Sequence, residues 1–268
     1  MHTKFGLTIV LPTLNEKENL EILIPSIVNE LQKIKIIDYE ILVVDDNSED
    51  GTQDFISSLK KNNKKIKIHS RTNEPSLPMS IWEGINLSDY EYVMWLDADG
   101  SMPAKTVSKL INKQKENLNS VIIGSRFVAG GGYKGIQDIG NDSIFTAIKN
   151  VKKSNDSVSG MILSMLFNYI LNVLHFGEIK DITSGFIIGP KEYFKKTIFE
   201  KSSYGEYFIY LCSYLQVKSI SVLEVGYVCE TRISGTSKTA SNGIQLIKRG
   251  IPYIRTAFNS KKEDYENF

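Results

Sequence analysis

Over its first 125 residues the chain alternates short apolar runs with stretches of helical period, and few folds accommodate that alternation. Leu7-Thr8-Ile9-Val10-Leu11, Glu40-Ile41-Leu42-Val43-Val44, Ile66-Lys67-Ile68, Tyr92-Val93-Met94-Trp95-Leu96 and Val121-Ile122-Ile123 are rich in β-branched, aliphatic or aromatic residues, as in strands buried on both faces. Between them, Glu18 to Lys33 sets Leu20, Leu23, Ile24, Ile27, Val28 and Leu31 at helical spacing. Thr52 to Lys61 follows Asp50-Gly51, and Pro103 to Lys115 begins with the proline favoured at a first helical position. Strands alternating with helices predict an α/β domain built on a central, mostly parallel, Rossmann-like sheet. Right-handed crossovers then bring the C-terminal ends of the parallel strands, and the loops after them, to one edge.

The second half continues the same domain. Gly130-Gly131-Gly132, Gly135 and Gly140 precede a polar stretch, so residues 127–158 read as a mobile loop or lid. Val158 to Phe176 resumes an apolar helical pattern, Asp181 to Gly189 reads as a strand, and Tyr204 to Leu215 and Asn242 to Phe258 as helices around a strand at Ser219 to Tyr227. With 41% hydrophobic residues and neither repeat nor linker, the 268 residues suit one large domain. Lys plus Arg number 32 against 31 Asp plus Glu, a formal charge of +1, so no global field draws the chain to nucleic acid. Cys212 and Cys229 lack disulfide-framework or zinc-ligand spacing, and the N-terminus lacks a secretory pattern, which together predict reduced thiols in a cytoplasmic protein. The longest apolar region, Met161 to Phe176, is broken by Ser164, Asn168, Asn172 and His175 and falls short of the ~20 residues that cross hydrocarbon.

Acidic residues gather where these strands end: Asn15-Glu16 after the first, Asp45-Asp46 after the second, Asp97-Ala98-Asp99 after the fourth. Two carboxylates two residues apart at the end of an apolar strand can meet one hard cation, and an all-oxygen set suits Mg²⁺ or Mn²⁺ bridging a diphosphate. A nucleoside diphosphate also needs an acceptor for base N–H groups, which Asp45 or Asp46 can supply, and a pocket for base and ribose, which Pro12, Asn15 and Glu16 can shape. Arg126 closes a buried strand, where an unpaired charge is costly, so it is expected against phosphate or a carboxylate. Arg232, Ser237 and Lys238 lie in a glycine-bearing loop suited to fold over a diphosphate.

These residues resemble the inverting nucleotide-sugar glycosyltransferases of family 2, with the GT-A fold. The likeness runs through Ile9-Val10-Leu11-Pro12-Thr13-Leu14-Asn15-Glu16, Val43-Val44-Asp45-Asp46-Asn47-Ser48 and Leu96-Asp97-Ala98-Asp99, and covers roughly residues 6 to 240. It implies a GT-A domain over 1–240, with a nucleotide-sugar half at 1–125 and an acceptor half at 126–240, followed by a C-terminal basic amphipathic helix and tail at 241–268. Within the family the chain is most similar to dolichyl- and polyprenyl-phosphate sugar synthases, through Gly124-Ser125-Arg126-Phe127, Asp181-Ile182-Thr183-Ser184-Gly185-Phe186 and Arg232-Ile233-Ser234-Gly235-Thr236-Ser237-Lys238. That likeness implies an acceptor-phosphate site at Arg126, Ser184, Arg232, Ser237 and Lys238, a metal at Asp97 and Asp99, and Asp99 as a catalytic carboxylate. Ile187 and Met165 stand where those enzymes usually carry arginine, and Ser101 where they often carry glutamine, so the acceptor side diverges.

The expected reaction moves a sugar from a GDP- or UDP-sugar to an isoprenoid phosphate at the cytoplasmic face of a membrane. A hydroxyl of a growing surface glycan is the alternative acceptor; it would need a base, and Glu206 sits about where hydroxyl-acceptor members of the family carry theirs. An idle GT-A subunit that only binds is a more remote reading, opposed by the intact acidic motifs. Met161 to Phe176 and Ile244 to Lys262, the latter with Lys248, Arg249, Arg255, Lys261 and Lys262, are candidates for peripheral membrane contact, or else for core closure, a homodimer interface or contact with an anchoring partner.

Overall fold

The computed structural model describes residues 5–133, 136–137, 168–173, 178–230, 232, 234 and 243–268. Ser237, Lys238 and most of the expected loop at 127–158 and helix at 158–176 lie outside the described residues. The first half runs β1 (Leu7–Thr13), α1 (Lys17–Lys33), β2 (Tyr39–Asp45), α2 (Thr52–Asn62), β3 (Ile66–Ser70), α3 (Leu77–Leu87), β4 (Tyr92–Trp95), α4 (Ala104–Glu116) and β5 (Val121–Ser125). The second half contributes β6 (Gly132–Tyr133), β7 (Ile136–Gln137), β8 (Ile187–Pro190), α5 (Lys196–Glu200), α6 (Tyr207–Val217), β9 (Val222–Gly226), β10 (Val228–Cys229) and α7 (Gly243–Ser260). The main sheet has the order β3-β2-β1-β4-β8-β5-β9, and β6, β7 and β10 form a small second sheet.

Alternation along each strand divides the core between the two faces of the sheet. Ile9, Ile41, Met94 and Ile122 point toward α1 and α4, where they meet Leu20, Ile24, Ile27 and Leu110. Val10, Leu42, Trp95 and Ile123 point the other way, into a cluster with Ile81, Ile85, Phe199, Phe208 and Leu211 from α3, α5 and α6. Each fully buried Leu or Ile contributes about 1.5–3 kcal/mol, and both faces are covered along the strands nearest the chemistry.

Two features depart from the sequence expectation. Helix α3 was not anticipated, although Ser76 caps it by accepting from the Met79 N–H at 3.4 Å and Pro78 occupies its first turn. The strand expected over 181–189 shrinks to β8, which runs antiparallel to both neighbours, β4 and β5. Residues 181–186 instead form a turn in which Gly185 takes φ 72°, a left-handed value open to glycine. The C-terminal helix α7 packs against α6, as the core-closure alternative expected; on α7, Thr256, Ala257 and Ser260 are buried, while Ile251 and Phe258 remain half-exposed.

Candidate functional site

The loops after β1 and β2 are tied to one another before any ligand arrives. Asn15, at φ 57°, donates its N–H to Ser48 Oγ at 2.8 Å and accepts the Glu49 N–H on Oδ1 at 2.8 Å. Asp50 accepts the Lys17 N–H at 2.9 Å on one oxygen, and the Thr52 N–H and hydroxyl on the other. Asp45 is fully buried; its Oδ2 accepts from Ser48 N–H and Gln53 Nε2, and its Oδ1 has no hydrogen-bond partner among the described residues. Asp46 turns toward α3, accepting from the Ser76 N–H at 2.8 Å, from Ser80 Oγ at 2.7 Å and from Arg71. Arg71 is held in turn by Glu83, which also meets His69 at 2.8 Å.

A cleft of ≈ 460 Å³ opens at this edge of the sheet, with Pro12, Glu16, Asp46, Asp97, Asp99, Ser184 and Arg232 in its walls. Asp97 and Asp99 follow β4 directly, so the strand fixes where they emerge. Asp97 keeps part of its surface open to the cleft, yet its surroundings are mostly protein. Burial, and then the charge of Asp99, push its carboxyl up to about 7 against the opposing pull of Arg232. Asp99 accepts the Ser101 N–H at 2.8 Å on Oδ1, and its Oδ2 lies 2.9 Å from Arg232 Nε. Arg232 Nη1 lies 3.7 Å from Glu16 Oε1.

This carboxylate pair fits a hard divalent cation, which would relieve the repulsion that raises Asp97. Among the described residues no group of three or more His, Cys, Asp or Glu side chains is arranged to hold a metal by itself. Asp97 and Asp99 would therefore share such an ion with oxygens from a ligand.

The opposite wall comes from the second half of the chain. Ser184 donates to the Gly124 carbonyl and accepts the Phe186 N–H at 3.2 Å, pinning the turn before β8 to the end of β5. Arg126 forms a two-pronged pair with the fully buried Asp181, Nε at 2.8 Å and Nη2 at 2.7 Å, and Nη2 also reaches Thr183 Oγ1 at 2.9 Å. Of the two partners expected for Arg126, it meets a carboxylate. Glu206 is buried just before α6, and its Oε1 accepts both the N–H and the hydroxyl of Ser203 at 2.9 Å. Tyr207 lines the cleft with its hydroxyl held by Trp95 Nε1 at 2.9 Å, and Tyr253 reaches the same cleft from α7.

The fold thus brings seven of the anticipated residues to one cleft and leaves the side chains of Asn15, Asp45, Arg126 and Glu206 outside its walls. Sequence reasoning missed Ser76, Ser80, Gly185, Ser203, Tyr207 and Tyr253. Ser76 could have been found from Ser76-Leu77-Pro78, a capping serine just before a proline; Tyr253 carries no local signal, because only the path of α7 brings it here.

The model of the family described as "Glycosyl transferase family 2" matches residues 8–198. The dolichol-phosphate mannosyltransferase of Pyrococcus furiosus is 37% identical over 124 residues, 46% of this chain and 34% of that protein. A poly(ribitol-phosphate) β-N-acetylglucosaminyltransferase of Staphylococcus aureus is 32% identical over 164 residues, 56% of this chain and 49% of that protein. The alignments therefore span half or less of these relatives' lengths. Glucosyl-3-phosphoglycerate synthase from Mycobacterium tuberculosis, in complex with Mn²⁺, uridine diphosphate and glucosyl-3-phosphoglycerate, superposes with a TM-score of 0.62 at 14% identity over 96% of this chain and 80% of that one, a likeness of fold. The seven-stranded mixed sheet is that of the GT-A glycosyltransferases, and with the family pattern running over residues 8–198 this chain belongs to glycosyl transferase family 2.

Proposed function

We propose that the protein transfers a sugar, with inversion, from a nucleotide diphosphate sugar to an isoprenoid phosphate at a membrane face, with Mg²⁺ or Mn²⁺ at Asp97 and Asp99. The observation that carries the donor half is the cleft in which these two carboxylates and Glu16 face Arg232. A divalent ion held by Asp97 and Asp99 would supply positive charge to a departing diphosphate. Arg232 adds a second cation beside the same group, and Pro12 bounds the nucleoside end. The crystallised M. tuberculosis synthase, with Mn²⁺ and uridine diphosphate, supports the choice of ligand class. Asp45 and Asn15 act through the loops they tie together, while Asp46 carries Ser76 and Ser80 to the cleft wall.

The acceptor half rests on Glu206. A phosphate monoester is anionic near neutral pH and needs no base, whereas a hydroxyl does; Glu206 has one oxygen turned back onto Ser203 and lies outside the cleft wall. Dolichol-phosphate mannosyltransferases of Pyrococcus furiosus and Saccharomyces cerevisiae among the relatives support the same acceptor class. Ser184, with Arg126 held behind it through Asp181 and Thr183, bounds the side where an acceptor phosphate would approach; Ser237 and Lys238 are assigned there by motif alone. The second reading, a glycan hydroxyl activated by Glu206, draws on the poly(ribitol-phosphate) relative and on Ser203, Tyr204 and Gly205, which flank Glu206 and do line the cleft.

A membrane location is supported by exposed apolar groups beside basic ones. Tyr169 and Val173 are 66% and 50% exposed, Ile251 and Phe258 are 50% and 51% exposed, and Arg255 is exposed on α7. Among the described residues no helix is long and apolar enough to cross a membrane. The deciding experiment incubates the protein with labelled UDP- and GDP-sugars, with and without chelator, and offers polyprenyl phosphate or a polyol-phosphate glycan in parallel. Transfer to polyprenyl phosphate that stops with chelator is expected; transfer only to the glycan selects the second reading, and no transfer or hydrolysis with any sugar nucleotide overturns both.

A further inference from the structure

Asn19 sits in the first turn of α1, 3% exposed, where neither helix propensity nor apolar packing favours an asparagine. Its side-chain amide behaves as a peptide group would beside a strand. Oδ1 accepts the Ser234 N–H at 2.8 Å, and Nδ2 donates to the Ser234 carbonyl at 3.3 Å and also to Glu16 Oε2. The segment it grips has a second anchor. There the Glu230 N–H donates to the Ser101 carbonyl at 2.9 Å, and the Glu230 carboxylate meets Lys105 at 2.9 Å. Arg232 lies between the two anchors, and its guanidinium reaches Asp99 and Glu16.

We propose that Asn19 is a positioning residue of the donor site: its amide clamps the main chain of Ser234 and thereby holds Arg232 over Asp99 and Glu16. The proposal rests on the donor reading above. It follows from the fork geometry. Aspartate would keep the acceptor for the Ser234 N–H but lose the donor and set a charge against Glu16, and alanine loses both bonds. The bonds go to main-chain atoms, so the clamp fixes the path of the segment whatever side chain stands at 234.

Two readouts test it on Asn19→Ala and on the isosteric Asn19→Asp, which covers the case in which the alanine variant does not fold. The first needs no ligand: limited trypsin digestion, scored by mass spectrometry as the cleavage rate after Arg232 relative to that after the buried Arg71. Loss of the clamp should raise that ratio about tenfold, the scale of one net hydrogen bond; an unchanged ratio overturns the proposal. The second is binding of uridine diphosphate or guanosine diphosphate with Mn²⁺, measured by calorimetry in a double-mutant cycle with Arg232→Ala. Asn19→Ala should weaken binding about tenfold in the wild-type background and hardly at all once Arg232 is gone, because the effect passes through Arg232. Equal losses in both backgrounds, or none in the first, overturn the positioning role. If the wild type binds neither nucleotide, the functional reading fails and takes the donor role of Asn19 with it; wild-type binding that the Asn19 variants leave intact defeats this proposal alone.

Discussion

Arg232 Nε stands 2.9 Å from Oδ2 of Asp99, on the carboxylate assigned to the metal. Among the described residues of the cleft wall, the carboxylates Asp97, Asp99 and Glu16 meet one guanidinium, that of Arg232, so when ionised they outnumber the cations there. A diphosphate, itself anionic, enters such a corner favourably only with added positive charge. Burial, and then the charge of Asp99, raise the Asp97 carboxyl, so the corner also holds a proton more readily than a free carboxylate would.

Asp99→Asn should therefore lower sugar transfer by at least ~10²-fold, the order expected when a principal electrostatic stabiliser of the leaving group is lost. Steady-state transfer with saturating Mg²⁺ or Mn²⁺ reads this directly. Near-full turnover in that variant, or undiminished wild-type turnover in excess chelator, would remove the metal from the proposal.

Glu206→Gln separates the two acceptors. The amide oxygen can still accept from Ser203, so the turn before α6 is kept while the basic group is lost. With a phosphate acceptor, turnover should stay within about threefold of wild type; general-base loss would instead cost about 10²–10⁴-fold. A folded variant that binds nucleotide but does not turn over would shift the reading to a hydroxyl acceptor.

The strand ends and their acidic residues were legible because both follow from local pattern: an apolar run fixes a strand, and the residues just past its end stand at the edge of the sheet. Asp97 and Asp99 stand after β4 in the cleft wall, and the first five strands emerged within a few residues. What the pattern could not carry was partnership. Asp46 and Asp45 are neighbours of one type, yet only the packing of α3 assigns Asp46 to Arg71, Ser76 and Ser80. Arg126 read as a phosphate ligand, with an internal ion pair as the lesser alternative, and Asp181, 55 positions later, supplies the contact it makes. The basic amphipathic pattern of α7 described a face without saying what covers it, and α6 covers one side.

Exposed apolar residues give the membrane reading a direct test. Tyr169→Glu and Phe258→Glu each place a charge at a half-exposed position outside the core, so neither should disturb folding. Sedimentation with anionic vesicles should show wild-type binding that weakens with salt, and each substitution should reduce it several-fold as apolar contact is lost and like charge added. Wild-type protein that ignores anionic vesicles, or variants that bind equally well, would count against membrane contact at these residues.

The Glu83 bridge to Arg71 predicts a pH-dependent contribution to stability. Burial alone would raise this carboxyl, but the hydrogen bonds from Arg71 and His69 bring it below the usual 4.5. A depressed folded value means that the bridge stabilises the fold above about 4.5 and that the contribution is lost as pH falls through the folded value. Urea unfolding of Glu83→Gln should therefore show a deficit against wild type at pH 7 that closes progressively below 4.5. A deficit independent of pH would mean that packing, not charge, is what Glu83 supplies.

Gly84, buried on α3, lies against Val10 and Val44 of the sheet. A Cβ there would come within 2.3 Å of Val10 Cγ1 and 2.9 Å of Val10 Cγ2, with Val44 Cγ2 at 3.1 Å. Alanine in a helix is intrinsically better than glycine by about 1 kcal/mol, but both methyls of a buried, β-branched Val10 face the added carbon and no rotation clears them together. Overpacking of this kind costs about 1–3 kcal/mol, so Gly84→Ala should be neutral to destabilising by up to about 2 kcal/mol, with the denaturation midpoint moving and the slope unchanged. Because α3 carries Ser76 and Ser80, which hold Asp46 at the cleft wall, the same variant should weaken nucleotide diphosphate binding. Combining it with Val10→Ala should recover part of the loss, since the removed methyls are the ones in the way. A Gly84→Ala protein more stable than wild type would mean that α3 can move off the sheet freely, and the close contact would then explain nothing about the cleft.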